Sequence, residues 1–291
     1  MKGIIVLNAF GGPTESRHFA ERLKEELKSL GVFTEIVLDG YLKTAIEGDS
    51  IKEYINCDFA VFLDKDKYLS ACLENSGIRL FNRHAAIRVC DDKGETYIAL
   101  AKSGIKVPDT IFAPLCYREE NPINSDGLKQ IAKRLNYPLI VKESYGSKGS
   151  GVYLAEDFNK LCEIENKIKL KPHMYQKYIS FRRGTDVRAI VIGGKFLCAM
   201  IRENKNDFRS NVALGGEGKA FDPPKNFIAI AEKCAKVLDL DYCGVDLLFT
   251  ESDPVVCEVN SNAFIGGIEK ATGVNVAKEY AIYIIRKLKN G

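Results

Sequence analysis

Near the C-terminus, two β-prone runs set three hard-oxygen side chains on adjoining strands. Gly244-Val245-Asp246-Leu247-Leu248-Phe249 and Val255-Val256-Cys257-Glu258-Val259-Asn260 flank a turn-rich stretch, residues 250–254. Apolar, β-branched flanks around turn formers predict a hairpin. Centring it on Ser252 places Asp246 opposite Glu258, and Asn260, two residues on, falls on the same face. Facing carboxylates about 5 Å apart repel, so a sheet gains nothing from the pair unless a cation lies between them. Carboxylate and amide oxygens suit Mg²⁺, or Mn²⁺ as the alternative ion, better than zinc. A solvated polar face on an edge hairpin explains the same residues when they are taken alone.

The rest of the chain narrows the choice. Its 291 residues suggest two domains or one domain with lobes, and 46% hydrophobic with 28% charged residues is an ordinary globular balance. A net charge of +3 gives no electrostatic case for nucleic acid, and no run reaches the roughly 18 apolar residues of a membrane span. The apolar run at residues 3–7 is too short for a signal segment and reads as a first strand. Nine cysteines, none in a C-x-x-C spacing, and three scattered histidines offer neither a disulfide framework nor a zinc motif, which fits a reducing cytoplasm. Cys198, Cys243 and Cys257 lie in strand-like runs and are expected to be small core hydrophobes.

Strand and helix patterns alternate over the first 85 or so residues, as in a small parallel α/β domain. Phe19, Leu23, Leu27 and Leu30 recur at helical spacing before Gly31, between strands at residues 3–8 and 32–38, and a strand at 59–63 precedes a helix at 67–75. The loop at residues 8–13 lies at a strand's C-terminal end, where such domains bind ligands, but it is no dinucleotide fingerprint. From about Asp91 the character changes to helices at 93–103 and 128–135 and a strand at 139–142. A β-rich region then follows, interleaved with helices at 227–238 and 276–288. The expected division is residues 1–90, then a small lobe at 91–172, then a larger lobe at 173–291, with a cleft between the last two.

Lys142 ends a strand and leads into Glu-Ser-Tyr-Gly-Ser-Lys-Gly-Ser-Gly, with Gly146, Ser147, Gly149 and Gly151 supplying free backbone N–H groups of the kind that cover phosphates. The spacing is not a Walker loop, and a mobile surface turn explains it equally well. Residues 175–179, which include Gln176, Lys177, Tyr178 and Ile179, read as a strand able to present its backbone to a base edge. Arg188, Arg202, Lys205 and Arg209 crowd together with Asp186, Asp207 and Asn211, and guanidinium forks suit phosphate and carboxylate oxygens. A two-residue turn at Gly193-Gly194 pairs residue 188 with 199 and puts Arg188 and Arg202 on opposite faces of the hairpin. A bulge would reunite them, and the sequence shows none.

In order along the chain, a lysine before a glycine-rich loop, a Gln-x-Tyr-Ile run, Gly184-Thr185-Asp186-Val187-Arg188, Asp207-Phe208-Arg209-Ser210-Asn211, Gly244-Val245-Asp246, Glu258-Val259-Asn260 and Gly267-Ile268-Glu269-Lys270-Ala271-Thr272-Gly273 resemble the ATP-grasp ligases, most closely the RimK-like glutamate ligase group. The resemblance runs from about Asp91 to the C-terminus. It implies a mixed α/β and α+β protein, an ATP-grasp fold behind an N-terminal Rossmann-like α/β domain.

The implied activity is ATP-dependent carboxylate–amine ligation through an acyl phosphate, releasing ADP and phosphate. Glutamate or another amino acid would be added to a protein, peptide or small-molecule acceptor. The implied roles are two Mg²⁺ ions on Asp246, Glu258 and Asn260; phosphate contacts from Lys93 and Lys142; an adenine frame at residues 176–179; and Asp186 near the ribose. The loop at residues 146–151 would close over the phosphates. Arg202 would stabilise the transferring phosphoryl group, and Arg188, Arg209 and Asn211 would hold substrate or phosphate. A homo-oligomer, dimer or tetramer, is the accompanying expectation, with no nucleic-acid or membrane partner. Two departures stand out: residues 261–266 read Ser-Asn-Ala-Phe-Ile-Gly where the group usually has Ala-Ser-Pro-Gly, and residues 143–151 differ from its usual loop. The first borders the acceptor and leaves the substrates open. A D-alanyl-D-alanine-type dipeptide ligase is the second enzymatic reading, and a nucleotide-binding module without turnover is the third.

Overall fold

The computed structural model describes residues 1–12, 14–40, 43–210 and 215–290. Its first layer is a parallel sheet in the order β2-β1-β5-β6, built from β1 (Lys2–Leu7), β2 (Phe33–Leu38), β5 (Phe59–Phe62) and β6 (Arg79–Phe81). The two central strands, β1 and β5, are apolar on both faces because both faces are covered. Ile5, Leu7, Phe59 and Val61 pack toward α1 (Thr14–Ser29) and α9 (Val276–Lys289), while Ile4, Val6, Ala60 and Phe62 pack toward α2 (Lys67–Asn75). Gly31, at φ 80°, ends α1 where only a left-handed residue lets the chain turn back into β2. A small antiparallel hairpin, β3 (Thr44–Glu47) with β4 (Ser50–Glu53), was not expected: it alternates too few apolar residues to register as a strand pair.

The next sheet runs β7-β10-β8-β9 through β7 (Thr110–Phe112), β8 (Leu139–Glu143), β9 (Val152–Ala155) and β10 (His173–Lys177). β10 completes this small sheet although it lies beyond residue 172. It ends at Lys177, so Tyr178 and Ile179 fall in the following loop and the strand expected over 175–179 is shifted toward the N-terminus. Alternation divides the faces. Leu139, Val141 and Tyr175 pack under α5 (Ser125–Leu135) and α6 (Phe158–Ile168), leaving Ile140, Lys142 and Gln176 to face the cleft.

The large sheet is antiparallel, β13-β12-β11-β14-β15, with β11 (Thr185–Ile192), β12 (Lys195–Glu203), β13 (Glu217–Phe221), β14 (Tyr242–Leu248) and β15 (Val255–Asn260). Val187, Ala189, Ala199, Val245 and Leu247 pack beneath α7 (Lys225–Val237) and α4 (Lys93–Lys102), the latter following α3 (His84–Asp91). On the other face, Ile190, Cys198, Met200 and Tyr242 join the apolar cluster of the first layer and α8 (Gly266–Thr272). The rest of that face opens into the cleft.

Asn82 joins the first layer to the large sheet. It is buried; its Nδ2 donates to the Tyr242 carbonyl (2.8 Å) and the Ser261 carbonyl (2.9 Å), and its Oδ1 accepts from Tyr242 N (3.0 Å). Replacing it with alanine strands three buried backbone groups. Asn82→Ala is therefore expected to lower the free energy of unfolding by about 2–4 kcal/mol. Urea unfolding checks this: the midpoint should fall with an unchanged slope.

Candidate active site

The cleft between the two antiparallel sheets gathers most of the charged residues singled out in the sequence. Lys93, Lys142, Gly146, Ser147, Gly149, Gln176, Lys177, Tyr178, Ile179, Asp186, Arg202, Arg209, Asp246 and Glu258 all line one cavity. Gly151, Arg188 and Asn260 are not part of this lining. Asn211 lies outside the described residues.

The hairpin register is as expected at its functional rungs. Asp246 pairs with Glu258, and Gly244 pairs with Asn260. Closer to the turn the register steps, Leu247 meeting Val256, so Cys257 is the extra residue of a bulge. Cys257 accordingly is not a core residue as expected. It lines the cavity, with its Sγ 4.0 Å from Lys142 Nζ.

The second correction concerns Arg188 and Arg202. Gly193-Gly194 does form the turn, but the ladder steps between Ile190, paired with Cys198, and Val191, paired with Phe196. Leu197 is the extra residue. The shift pairs Asp186 with Arg202 and Arg188 with Met200, which returns both arginines to one face.

Their shared partner is Asp246. Arg188 clamps it through Nε (2.8 Å) and Nη2 (2.7 Å), and Arg202 Nη2 lies 2.8 Å from its Oδ2. Arg202 also takes both oxygens of Asp186, at 2.7 and 2.5 Å. Asp186, Asp246 and Arg202 are all buried. Burial works against the Asp246 charge, but the two guanidiniums outweigh it and hold the carboxyl below the usual carboxylate range.

The cations of the opposite wall are placed by backbone as much as by side chain. Asp92 caps α4, accepting from Gly94 N and Glu95 N, and so fixes Lys93 at the first helical position. Lys93 N donates to the Ser144 carbonyl, and its Nζ reaches the Gly146 carbonyl at 2.8 Å and Glu258 at 3.5 Å. Burial, aided by Lys142, pushes this ammonium below its ordinary range, with Glu258 opposing. Lys142 Nζ donates to Tyr97 Oη at 2.9 Å. Gln176 Nε2 donates to Thr110 Oγ1, which fixes the side chain near the end of β10.

The glycine-rich loop caps the cavity. Gly146, Gly149 and Gly151 have φ of 137°, 79° and 73°, conformations that side chains disfavour. Arg209, itself paired with Asp207, donates from Nη1 to the Gly149 carbonyl at 3.0 Å.

The apolar walls escaped sequence reasoning: Ile140, Val152, Phe208 and Leu248 also line the cavity. Two were recoverable, since Ile140 and Leu248 stand two residues from Lys142 and Asp246 and must share their faces.

The donor set fits a hard divalent cation. Glu258 is partly exposed, and among the described residues its only ion pair is the 3.5 Å approach of Lys93. Asn260 Nδ2 is buried without a hydrogen-bond partner among the described residues, and turning the amide over would present its oxygen there. Among the described residues Asp246 Oδ1 accepts only from Arg188 Nε, which leaves it a lone pair.

Residues 90–284 match the RimK-like ATP-grasp domain. The chain belongs to the RimK-like ATP-grasp family. Members of this family bind ATP and Mg²⁺, and the chain is an ATP-dependent carboxylate–amine ligase. It is 32% identical over 272 residues to human beta-citrylglutamate synthase B, covering 89% of this chain and 69% of that protein. It is 35% identical over 221 residues to a probable alpha-L-glutamate ligase of Maridesulfovibrio salexigens, covering 75% and 71%. The RimK-like fold is shared with an ATP-grasp RimK domain protein of Sphaerobacter thermophilus (TM-score 0.73, 21% identity, 97% and 99% coverage). It is shared equally with the D-alanine–D-alanine ligase of Bacillus anthracis complexed with ATP (TM-score 0.74, 17% identity, full coverage of both). Among the described residues no helix is long and apolar enough to cross a membrane.

Beside the RimK-like cleft, the C-terminal ends of the parallel strands carry a second charged group. Asn8 Nδ2 reaches Asp64 Oδ2 (3.3 Å) and Asp39 Oδ2 (3.5 Å), and Asn262 Nδ2 donates to the Asp64 carbonyl (2.9 Å). Burial, with Asp39 alongside, pushes the Asp64 carboxyl up to about 6.

Two outcomes follow from these charges. Arg202→Ala leaves two buried carboxylates short of a partner and is expected to destabilise the fold by about 3–5 kcal/mol, read from thermal or urea unfolding. The folded state keeps a proton on Asp64 where the unfolded chain has lost it, so this group's contribution to stability falls as pH rises from about 4 to about 6. Asp64→Asn is expected to raise stability at pH 7 by about 1–2 kcal/mol, allowing for solvent screening, and to change little at pH 4. Paired melting curves at the two pH values check it.

Proposed function

We propose that the protein joins glutamate or another amino acid to an amine or carboxylate acceptor, with ATP lying between the small and large sheets. The observation that carries this reading is the convergence, in one cavity, of the Asp246–Arg188–Arg202 cluster, the little-engaged Glu258, and the glycine-rich loop above them. The curated relatives named for glutamate ligation and citrylglutamate synthesis support an amino acid as one substrate.

In the first step a carboxylate oxygen attacks the γ-phosphorus, the bond to the β-phosphate bridging oxygen breaks, and ADP leaves. In the second, the amine nitrogen attacks the acyl carbon and the carbon–oxygen bond to phosphate breaks. The proton lost from nitrogen leaves with phosphate or water. Both steps gather negative charge on oxygens rather than needing a protein nucleophile, so positioned cations carry the catalysis. Lys93 and Lys142 hold the α- and β-phosphates; Ile140, Val152 and Leu248 sandwich the base, whose edge meets the backbone at residues 176–179; Asp186 lies toward the ribose.

Arg202 and Arg188 act on the transferring group and intermediate while fixing Asp246, and Arg209 with Asn211 holds substrate or phosphate. Residues 146–151 exclude water that would hydrolyse the acyl phosphate. Asp246, Glu258 and Asn260 would hold two Mg²⁺ ions, or Mn²⁺ in their place, whose chemistry is neutralisation of the β- and γ-phosphate charge. The substrates approach from the side of Asn8, Asp64 and residues 261–266.

The test is ADP release with Mg²⁺, glutamate and a panel of amines and carboxylates. ADP formed only when a carboxylate and an amine are both present supports the reading; ATP bound tightly with no turnover for any pair would favour a binding module. Glu258→Gln is expected to cut turnover by at least about 100-fold, since it removes a charge from the phosphate-neutralising set. Its melting temperature should stay near wild type, because Glu258 is partly exposed and scarcely paired.

A further inference from the structure

Lys148 is the one residue of the loop at 146–151 that reaches out of the cleft. Its backbone is left-handed, φ 55°, among glycines that adopt such angles freely. A glycine would sit there without strain, yet the position carries a long cationic side chain, and that side chain is engaged twice. Nζ lies 2.9 Å from Glu15 Oε1, at the first turn of α1 in the N-terminal layer. The same ammonium stands 5.3 Å from the ring centre of Phe264. The Lys148 hydrogen bond holds the Glu15 carboxyl below its usual range.

Phe264 belongs to residues 261–266, the segment bordering the acceptor side. That segment is tied in turn to the N-terminal layer through Asn262 Nδ2 and the Asp64 carbonyl. One ammonium carried by the loop therefore touches both helix α1 and the acceptor-side segment.

We propose that Lys148 is a positioning residue that couples closure of the glycine-rich loop over the nucleotide to the ordering of the acceptor side. An exposed ion pair contributes too little to hold the fold together, but it is enough to shift a loop equilibrium several-fold. Without the tether, the loop can close on ATP while the acceptor side stays unformed. The proposal rests on residues 146–151 being the loop that closes over the phosphates.

Hydrogen–deuterium exchange with the non-hydrolysable analogue AMPPNP and Mg²⁺ separates the two claims. In the wild-type chain, nucleotide should slow exchange at residues 146–151, and also at 14–20 and 261–268, by at least about threefold. Lys148→Gly, which relaxes the backbone, should keep the slowing at 146–151 and lose it at the two distant segments. Glu15→Gln should weaken the slowing at 14–20, and Lys148→Arg should restore the wild-type pattern. Distant slowing that survives in Lys148→Gly, or that is missing in the wild type while 146–151 is slowed, overturns the coupling. No slowing at 146–151 in the wild type overturns the loop assignment on which it rests.

Discussion

The buried carboxylate of Asp246 sets the geometry of everything around it. It is one of two acids sharing Arg202, and it is clamped from the other side by Arg188. A charge cluster of this kind adds little net stability compared with well-packed apolar residues, but losing one member is costly. Its effect is to fix orientation. With both guanidiniums in place, the acid faces the cavity on the same rungs as Glu258 and near the buried, unpartnered amide of Asn260. The groups proposed to meet phosphate charge are thus oriented before any ligand arrives, which is what electrostatic catalysis requires.

The two halves of the site are built differently. The side proposed to hold the nucleotide stands on strands: Ile140, Lys142 and Gln176 come from the small sheet, and Asp186, Asp246 and Leu248 from the large one. The proposed acceptor side stands on loops, at residues 8–12, 64–66 and 261–266; the last is held by Asn262 to the Asp64 carbonyl, Asn82 to the Ser261 carbonyl and Tyr242 Oη to the Ala263 carbonyl, and it buries Ala263 and Ile265. Loops on a rigid scaffold tolerate change, so one reaction chemistry can serve different acceptors. In residues 261–266, which depart from the family's usual sequence, Ser261, Ala263 and Ile265 are buried, while Asn262 and Phe264 reach Asp64 and Lys148.

Much of this was legible in the sequence. The parallel layer, the Asp246–Glu258 rung and the charged composition of the cleft followed from periodicity, turn residues and motif order. Two bulges did not. Every position from Phe196 to Ile201 is apolar, so no alternation records the extra Leu197, and the slip that brings Arg202 beside Asp246 leaves no trace. Val255, Val256 and Cys257 hide the second bulge in the same way, which is why Cys257 reads as a core residue and is found in the cavity. The pairing of Arg202 with Asp186 was equally out of reach, because it exists only in the shifted register.

The central claim is that nucleotide and metal meet on the Asp246–Glu258 rung between the two antiparallel sheets. A crystal structure of the chain grown with ADP and Mn²⁺ tests it most directly, because the anomalous signal of manganese locates the ion independently of the protein density. The account predicts a manganese peak in contact with Glu258 and bridging to the ADP phosphates, with the adenine between Ile140 and Leu248. Manganese bound away from Glu258, or ADP bound outside this cleft, would contradict it.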